Sequence, residues 1–373
     1  MRIVHITNFY SPRSGGIKTT MHELGSRYQQ LGHEFFYVIP GIRYSVDVTA
    51  CGIQISLPSL PIPFSGGYRV IRSNHSIRKL LMTLRPNRIE VSDRLTMRGI
   101  GLWANRRKIS TVVFSHESLA ALVDRFLKLR YLQRFVDWHN ARLARSFDWV
   151  IASTEFAARE FKKINTSNLK KIPLGVDLEI FQPIRRDEEL RQNLLDGAEL
   201  LIVHCGRLSV EKDPEVSLKT LKTLSARGVN VRLVYVGMGP MFEKLKKNSY
   251  GLPVTFLGYV LGPTKVATIL ASADVVIAPG PHETFCLAAL ESLACGTPVV
   301  ASSKSAVGEL LSNSDGLPTG LVCGDSIEDW ADAVLQLTGK EGLRGRCRKQ
   351  AERFSWTTTV HELLNTSNRN VAA

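Results

Sequence analysis

Short apolar segments alternate with amphipathic helical segments along this chain, and this alternation constrains the fold most. Near the start, Ile3, Val4 and Ile6 form an apolar strand, and residues 35–39 resume one. Between them, apolar side chains recur at helical spacing at Ile17, Met21, Leu24, Tyr28 and Leu31. A strand, a helix and a strand in this order predict a βαβ unit with two parallel strands. Residues 111–114 and 149–152 are predicted as later strands of the same sheet.

A second series of strands and helices begins near residue 200. Apolar strands are predicted over residues 200–204, 231–236, 254–257, 274–278 and 298–301. A helix is predicted over residues 214–226, and helical patterns after Ser326 run nearly to the end. The segment 179–197 is charged and contains Pro183, which is typical of a linker.

These two series predict an α/β protein with two doubly wound, Rossmann-like domains that face each other across a cleft. The N-terminal domain is expected over residues 1–178. The C-terminal domain, with the last helices, is expected over residues 198–373. Ligands in such sheets bind at the carboxyl ends of the strands.

The composition excludes several classes of protein. With 44% hydrophobic and 22% charged residues, the chain of 373 residues is expected to fold rather than remain disordered. No apolar run reaches the roughly 18 residues of a membrane-spanning helix, and the N-terminus is too polar for a signal peptide. The six cysteines show neither CxxC pairs nor zinc-site spacing. These features predict a cytoplasmic protein with reduced thiols.

Positive charge is concentrated in the N-terminal half. The net charge of the chain is +14, and residues 1–178 contain 27 basic and 12 acidic residues. Such asymmetry predicts an anionic partner for this half. Cationic, aromatic and aliphatic side chains alternate in one stretch, at Arg125, Phe126, Leu127, Lys128, Arg130, Tyr131, Leu132, Arg134, Phe135, Trp138, Arg142 and Arg145.

A second basic tract lies earlier in the same half, at Arg69, Arg72, Arg78, Lys79, Arg85 and Arg88. The two tracts predict reversible docking on an anionic membrane surface, at the inner face of the cell membrane. The alternative is that the aromatic residues face the core and the arginines are ordinary solvated charges. A nucleic-acid partner is not expected, because the basic half contains no recognisable nucleic-acid-binding module.

The segment from Pro281 to Glu291 carries the strongest functional signal. It follows the predicted strand 274–278 through a Pro-Gly-Pro loop, with Glu283 in or beside that loop. Phe285, Cys286 and Leu287 are predicted to begin a helix, so their backbone N–H groups can bind a phosphate. Glu291 lies about two turns further on, where its carboxylate can accept hydrogen bonds from ribose hydroxyls. A glutamate pair flanking an ordinary core helix is the alternative.

Two glycine-containing loops carry weaker signals. Gly206 and Arg207 directly follow the strand that ends at Cys205, and Lys212 comes five positions after Arg207. These cations can neutralise a diphosphate at the end of a strand. Gly15 and Gly16 lie in the first βα turn, where glycine permits close approach of backbone to a ligand.

Together these motifs resemble the GT4 family of retaining glycosyltransferases, which have the GT-B fold. The likeness covers nearly the whole chain and also includes Gly239-Pro240 and the segments 173–177 and 256–258. It implies that Arg207 and Lys212 hold the diphosphate of a nucleotide sugar, that Glu291 binds the ribose, and that Glu283 binds the sugar. Leu257 and Gly258 would lie near the base. Cys286 departs from the family pattern, which usually has glycine there.

Within that family, the chain is most similar to actinobacterial mannosyltransferases that extend phosphatidylinositol mannosides. The likeness is carried by residues 2–41, 115–117, 173–179, 204–212 and 278–300. It implies GDP-mannose as the donor and a lipid-linked or other glycan as the acceptor. It also implies that His116, at the end of a strand, lies beside the reacting sugar. His5 and His33 are interpreted as structural histidines.

The chain contains no DxD sequence, so we expect catalysis without a metal ion or other cofactor. Arg207, Lys212 and the helix N-terminus near Phe285 would supply the positive field. We expect retention of configuration, with the leaving phosphate deprotonating the incoming hydroxyl. The alternatives are a nucleotide-sugar epimerase of the same fold and a basic nucleic-acid-binding protein.

Overall fold

The computed structural model describes residues 1–10, 15–62, 67–116, 132–311 and 318–366. The chain divides into two compact units. The first comprises Met1–Leu174 with Trp356–Ala373, and the second comprises Gly175–Ser355.

This division differs from the expected domain boundaries at two places. The C-terminal helix joins the first unit, where the hydroxyl of Thr359 donates to the carbonyl of Pro173 at 2.8 Å. The expected linker joins the second unit, because its helix Glu188–Leu195 buries Leu194 and Leu195. Arg191 of that helix also donates to Asp274 at 2.9 Å. Tertiary packing therefore decides which unit each segment joins, and the local sequence does not show this packing.

The first unit is built on a mainly parallel sheet. Its described strands are β1 (Arg2–Ile6), β2 (Glu34–Gly41), β3 (Ser45–Thr49), β4 (Gly52–Pro61), β5 (Arg69–Ile71), β6 (Arg88–Val91), β7 (Ser110–Ser115), β8 (Trp149–Ala152) and β9 (Leu169–Lys171). Their order is β3-β4-β2-β1-β6-β7-β8-β9, and β5 pairs with β4. β3 and β5 run antiparallel to β4. The order reverses between β2 and β6, on either side of β1.

The described helices of the first unit are α1 (Gly16–Gln30), α2 (Asn74–Leu84), α3 (Arg98–Asn105), α4 (Leu132–Ala144), α5 (Glu155–Lys162) and the C-terminal helix Trp356–Leu364. α1 buries Met21, Leu24 and Tyr28, which are part of the predicted apolar stripe. The hydroxyls of Ser73 and Thr154 cap α2 and α5 by accepting backbone N–H groups. The core joins apolar side chains of the sheet, such as Val4 and Val113, to those of these helices.

The second unit contains a sheet whose described strands are all parallel. They are β10 (Leu200–Cys205), β11 (Val231–Val236), β12 (Val254–Gly258), β13 (Val275–Ala278), β14 (Val299–Ser302) and β15 (Gly320–Cys323). Their order is β12-β11-β10-β13-β14-β15, the order of a Rossmann sheet, so this unit is doubly wound as predicted. The strands are near-continuous apolar runs because helices cover such sheets on both faces.

Among the described α-helices of the second unit, the first precedes β10 and the others follow strands of the sheet. They are α6 (Glu188–Leu195), α7 (Pro214–Ala226), α8 (Phe242–Asn248), α9 (Pro263–Ser272), α10 (Leu287–Ala294), α11 (Val307–Leu311), α12 (Ile327–Leu337) and α13 (Leu343–Ala351). α7 occupies the predicted residues 214–226. α12 and α13 confirm the helical patterns expected after Ser326.

Candidate active site

The reversal point of the second sheet brings two predicted motifs together. β10 and β13 are hydrogen-bonded neighbours, but their connections run in opposite directions across the sheet. The loop after β10 contains Arg207 and Lys212, and the loop after β13 contains Glu283. Doubly wound sheets bind their ligands at this kind of crevice, outside the carboxyl ends of the strands. The two motifs therefore lie where the fold favours a ligand.

Lys212 and Glu283 form an ion pair between these two loops. The ammonium group is about one-third exposed and the carboxylate is mostly buried. Burial alone would lower the pKa of Lys212, but the charge of Glu283 outweighs it and raises that pKa above its ordinary value. Lys212 is therefore a permanent cation at the reversal point. The backbone of Glu283 is also held, because its carbonyl accepts the N–H of Ala306 at 2.8 Å.

The helix after Glu283 begins later than expected. α10 starts at Leu287, and Cys286 is its N-cap residue with φ +70°. Phe285 precedes the helix, and its side chain is buried against Phe354 with ring centroids 6.3 Å apart. The predicted helix start at Phe285 is therefore wrong by two residues. The first-turn N–H groups that can face an anion belong to Leu287 and Ala288, since the N–H of Ala289 donates to the carbonyl of Cys286 at 3.1 Å.

Cys286 has a backbone conformation that L-residues rarely adopt. Its φ of +70° lies in the left-handed region that favours glycine. This finding gives a physical reason for the glycine that the GT4 pattern usually has here. Burial and the charge of Glu283 raise the pKa of the Cys286 thiol to about 12, so the thiol is protonated.

Glu291 lies in α10, one turn beyond its start, and is partly exposed. Its charge acts on the thiol of Cys205, which places Glu291 near the end of β10. After burial, the charge of Glu291 is the main cause that raises the pKa of Cys205, the last residue of β10. Glu291 and Glu283 therefore both lie at the carboxyl edge of the sheet.

The loops after β10, β11 and β12 stack on one another. A Cβ atom on Gly237 would lie 2.0 Å from the carbonyl oxygen of Gly206, and one on Gly239 would lie 2.2 Å from that of Leu208. These two glycines are thus required by loop packing. Gly206 has φ +155°, and in the described part of the chain no heavy atom lies within 4 Å of its Cβ position, so this side is available to a ligand.

Leu257 and Gly258 end β12 beside this stack. Leu257 is exposed. Gly258 has φ +67°, and its Cβ position lies 3.7 Å from the sulfur of Met238, which is an ordinary van der Waals distance. The N–H of Gly237 donates to the carbonyl of Gly258 at 2.8 Å, which fixes the two loops to each other. Arg207 is partly exposed in the first loop of the stack.

The remaining predicted residues lie in the first unit, also at the carboxyl ends of parallel strands. Gly15 caps α1, and no heavy atom of the described residues lies within 4 Å of its Cβ position. Gly16 is the first residue of α1 and is exposed. Ser14 of the same turn lies outside the described residues, as do residues 117–131. The described residues therefore leave open space beside the Cβ position of Gly15.

His116 directly follows β7 and is partly buried. Its ring stacks on Phe114 with centroids 5.3 Å apart, and its Nε2 lies 2.8 Å from the hydroxyl oxygen of Ser92. Burial, together with the nearby His5, lowers the pKa of His116 to about 3. The imidazole is therefore neutral near pH 7. A small pocket lies beside it, lined by Phe9, Ile17, Ser92, Arg94, Phe114 and His116.

Three residues behind His116 were missed by reasoning from the sequence as parts of a site. They are His5 in β1, Glu90 in β6 and Ser92 directly after β6. Arg88 and Glu90 are two charged residues in a four-residue strand that is otherwise apolar and fully buried. Buried charges require partners, so this pattern is a signal that could have identified the cluster.

A metal site is not found among the described residues, since no group of three or more His, Cys, Asp and Glu side chains is arranged to hold an ion. The expectation of catalysis without a metal stays a prediction.

The chain was compared with known protein families, curated proteins and solved structures. The model of Glycosyltransferase Family 4 matches residues 14–180, and that of glycosyl transferases group 1 matches residues 185–354. The chain is 44% identical, over 98% of its length and 96% of the relative's, to a GDP-mannose-dependent alpha-(1-6)-phosphatidylinositol dimannoside mannosyltransferase from Mycobacterium tuberculosis. The chain belongs to the GT4 glycosyltransferases. The resemblance and the enzyme class predicted from the sequence are confirmed.

Solved structures confirm the GT-B fold of this GT4 glycosyltransferase. Sucrose-phosphate synthase from Thermosynechococcus elongatus superposes with a TM-score of 0.78 over 100% of this chain and 99% of that one. HepE from Anabaena, in complex with UDP, gives a TM-score of 0.76 over 98% and 99% of the two chains. Both are 18% identical to this chain, so they establish the fold alone.

Proposed function

We propose that this GT4 enzyme transfers mannose from GDP-mannose to a phosphatidylinositol mannoside with retention of configuration. The observation that carries the proposal is the full-length likeness to a mannosyltransferase of that donor and acceptor. The bond between the anomeric carbon and the phosphate oxygen breaks, and the acceptor hydroxyl oxygen bonds to that carbon on the same face. The hydroxyl proton passes to the leaving GDP.

The arrangement of the second unit supports the donor half of this proposal. Lys212 and Arg207 lie in the loop after β10, and the N–H groups at the start of α10 lie after the neighbouring strand. Together they supply positive charge for a diphosphate without a metal ion. Glu291 then binds the ribose, and Glu283, fixed by Lys212, binds the sugar hydroxyls. Leu257 and Gly258 contact the base.

An acceptor-dependent assay tests the proposal. The enzyme is incubated with GDP-mannose labelled in the sugar, with and without phosphatidylinositol mannosides. We expect labelled mannose in the lipid fraction and an equal amount of released GDP. UDP-glucose and UDP-galactose serve as competing donors and should give little transfer. Faster transfer from a UDP-sugar would refute the donor, and an isomerised nucleotide sugar without acceptor would support an epimerase instead.

We further propose that the first unit docks on an anionic membrane surface, which would bring the enzyme to a lipid acceptor. Arg134, Trp138 and Arg142 are exposed along α4, and the exposed Arg145 directly follows this helix. Phe135 and Trp138 are 58% and 51% exposed. The described aromatic residues of this stretch therefore do not face the core. The guanidinium group of Arg142 lies 4.7 Å from the centroid of the Trp138 ring. Cations beside exposed aromatic rings suit the headgroup region of a bilayer.

A shallow pocket on this surface adds to the argument. It is lined by Arg98, Leu102, Trp138, Ala141, Arg142, Arg145 and Ser146. Three arginines around one aromatic ring provide charge-assisted donors for a lipid phosphate. The second basic tract contributes less than expected, because Arg88 is buried and paired with Glu90. Arg72, Lys79 and Arg85 are exposed.

Two further expectations stay proposals. We propose that the enzyme works at the cytoplasmic face of the membrane and that nucleic acid is not its partner. None of the helices in the described part of the chain is long and apolar enough to cross a bilayer.

A further inference from the structure

One edge strand of the first sheet carries apolar side chains on a face that stays exposed. In β3, Val46 and Val48 alternate with the polar residues Ser45, Asp47 and Thr49. Such alternation is typical of a strand that has one buried face. Val46 is nevertheless 51% exposed, and Val48 is 87% exposed. The sequence of β3 therefore fits a more covered environment than the described residues give it.

The register of the sheet shows which face this is. Val46 pairs with Ile55 of β4, and Val48 pairs with Ile53. Partners that lie directly opposite each other in an antiparallel pair share one face of the sheet. Ile55 is buried, and Ile53 packs against the core. The two valines thus continue the core face of the sheet to its edge, where the burial ends.

β3 also has an open backbone edge. It stands at one end of the strand order, and its neighbour there is β4. Thr49 and Gly52 pair around a two-residue turn, so the hydrogen bonds to β4 fall on Thr49 and on every second residue before it. The backbone N–H and C=O groups of Val46 and Val48 therefore point away from β4. Such a row of groups is a template for pairing with another strand.

The opposite edge of the same sheet is built differently. β9 has three residues, and two of them are Lys170 and Lys171. Lysines on a short edge strand oppose pairing with another chain. Residues 44–48 at the β3 edge contain one charged side chain, that of Asp47. It lies on the polar face, where its carboxylate accepts a hydrogen bond from the Ser45 hydroxyl at 3.0 Å, so the apolar face of this edge carries no charge.

A second copy of β3 matches this edge. If two copies pair antiparallel about a two-fold axis at Val46, Tyr44 lies opposite Val48 of the copy, and Val46 lies opposite itself. Tyr44 directly precedes β3 and is 57% exposed, so apolar side chains of both copies meet along one face. On the other face, Ser45 lies opposite Asp47 of the copy, which places a hydroxyl beside each carboxylate.

Other two-fold registers fit less well. An axis at Asp47 would place two carboxylates opposite each other, and like charges in that position destabilise a strand pair. An axis at Ser45 would place Val48 opposite residue 42, which lies outside the strand. A two-fold pairing uses each edge once, so it gives a closed dimer and not a filament.

We propose that this protein forms a two-fold symmetric dimer through antiparallel pairing of β3, with Val46 on the axis. The inference is independent of the proposed function. A lipid surface fits the same row of side chains less well, because it offers no strand to the outward N–H and C=O groups.

Light scattering after size-exclusion chromatography tests the oligomeric state of the full chain over a range of concentrations. We expect the mass to rise towards twice the protomer mass of 41.5 kDa. Val46→Lys and Val46→Glu should each weaken the dimer at least about ten-fold, since like charges meet on the axis. An equimolar mixture of the two variants should dimerise again, because opposite charges then meet. Val322→Lys, at an exposed valine of the edge strand β15, is the matched control and should leave the dimer intact.

Cysteine substitutions test the register. In the proposed pairing the two Cα atoms at position 46 are about 5.5 Å apart, within reach of a disulfide. The two Cα atoms at position 48 are four positions apart along the strands, about 13 Å, and beyond that reach. Under mild oxidation, Val46→Cys should give a disulfide-linked dimer, whereas Val48→Cys and the wild type should not.

Thermal unfolding of each variant shows that a lower mass does not reflect loss of folded protein. A wild type that stays monomeric at every concentration overturns the inference. So does a dimer that persists in both Val46→Lys and Val46→Glu, a mixture of the two that stays monomeric, or equal disulfide formation at positions 46 and 48. If the wild type is monomeric and Val46→Glu instead weakens co-sedimentation with liposomes, the exposed row is a lipid contact and the dimer is wrong.

Discussion

Lys212 and Glu283 form an ion pair although 71 positions separate them in the sequence. The pair joins the two loops at the reversal point of the second sheet, where a doubly wound fold places its ligand. Lys212 therefore has two functions in our proposal. It holds the carboxylate that contacts the sugar, and its charge lies beside the expected diphosphate.

The first prediction concerns the residues that bind the donor on either side of this pair. Arg207→Ala and Glu291→Ala should each lower kcat/KM for the donor at least about ten-fold, because each removes a charge-assisted hydrogen bond worth roughly 1.5–3 kcal/mol. Steady-state kinetics with varied GDP-mannose measure the effect. Lys219→Ala and Glu243→Ala, at exposed positions of the same unit, are the matched controls. Wild-type values in either site variant would remove that residue from the donor site.

The second prediction is that transfer continues in EDTA. We expect the same rate before and after chelation, because Arg207, Lys212 and the start of α10 supply the positive charge that a metal would otherwise supply. The measurement is GDP release in metal-free buffer, with and without added magnesium or manganese. Activity that is lost on chelation and returns only with one of these ions would show that the metal-free mechanism is wrong.

Periodicity located the second sheet well, because buried parallel strands are apolar runs. The predicted strands 231–236 and 274–278 are observed as Val231–Val236 and Val275–Ala278. Periodicity could not assign the C-terminal helix to the first unit, because the hydrogen bond from Thr359 to Pro173 spans 186 positions of the sequence. The antiparallel strands Ser45–Thr49 and Arg69–Ile71 were not predicted. Both pair with β4. The first is mostly solvent-exposed and the second has only three residues, so neither gives a continuous apolar signal.

The candidate site, like the fold, was predicted from the sequence only in part. Motif spacing identified both loops of the Lys212–Glu283 pair, because each motif directly follows an apolar strand. The residues behind His116 were not identified, since His5 comes from β1 and both Glu90 and Ser92 from the end of β6, two segments that only the strand order brings together. His5 was interpreted as a structural histidine, and in the fold its Nδ1 lies 3.2 Å from the carboxylate of Glu90.

The third prediction concerns backbone strain at Cys286. Its φ of +70° costs an L-residue roughly 1–2 kcal/mol relative to glycine. Cys286→Gly and Cys286→Ala both remove the thiol, but only glycine relieves this strain. The glycine variant should therefore be the more stable of the two by about 1 kcal/mol. Urea unfolding compares them, and equal stabilities would show that the left-handed conformation is not maintained in solution.

The fourth prediction concerns the pH dependence of stability and involves His204. This residue is 2% exposed, and its Nδ1 lies 2.9 Å from Oγ of Ser217. Burial, together with the charge of Lys212, lowers the pKa of His204 to about 3. Between about pH 6.5 and pH 3 the unfolded chain binds a proton that the folded chain does not, so stability falls as the pH falls through this window.

A matched substitution isolates this contribution. Asparagine can keep the hydrogen bond to Ser217 but does not titrate, so His204→Asn should reduce the loss of stability between pH 7 and pH 5. The reduction should be about 1–2 kcal/mol, because one proton bound only by the unfolded state gives up to about 1.4 kcal/mol per pH unit. Urea midpoints at the two pH values measure it. Parallel pH profiles for wild type and variant would contradict the prediction.

The last prediction is that the first unit binds anionic membranes through the exposed face of α4. Arg142→Glu with Arg145→Glu should weaken co-sedimentation with phosphatidylinositol-containing liposomes at least about ten-fold, since each cation near such a surface contributes about 1 kcal/mol. Lys219→Glu with Lys222→Glu makes the same change in net charge on an exposed helix face of the second unit and is the control. Binding of the wild type should fall at high salt, because exposed charges are screened.

Equal loss in both double variants would indicate a general charge effect instead of a docking face. Wild-type protein that stays in the supernatant at low salt would exclude docking and shift the acceptor toward a water-soluble glycan.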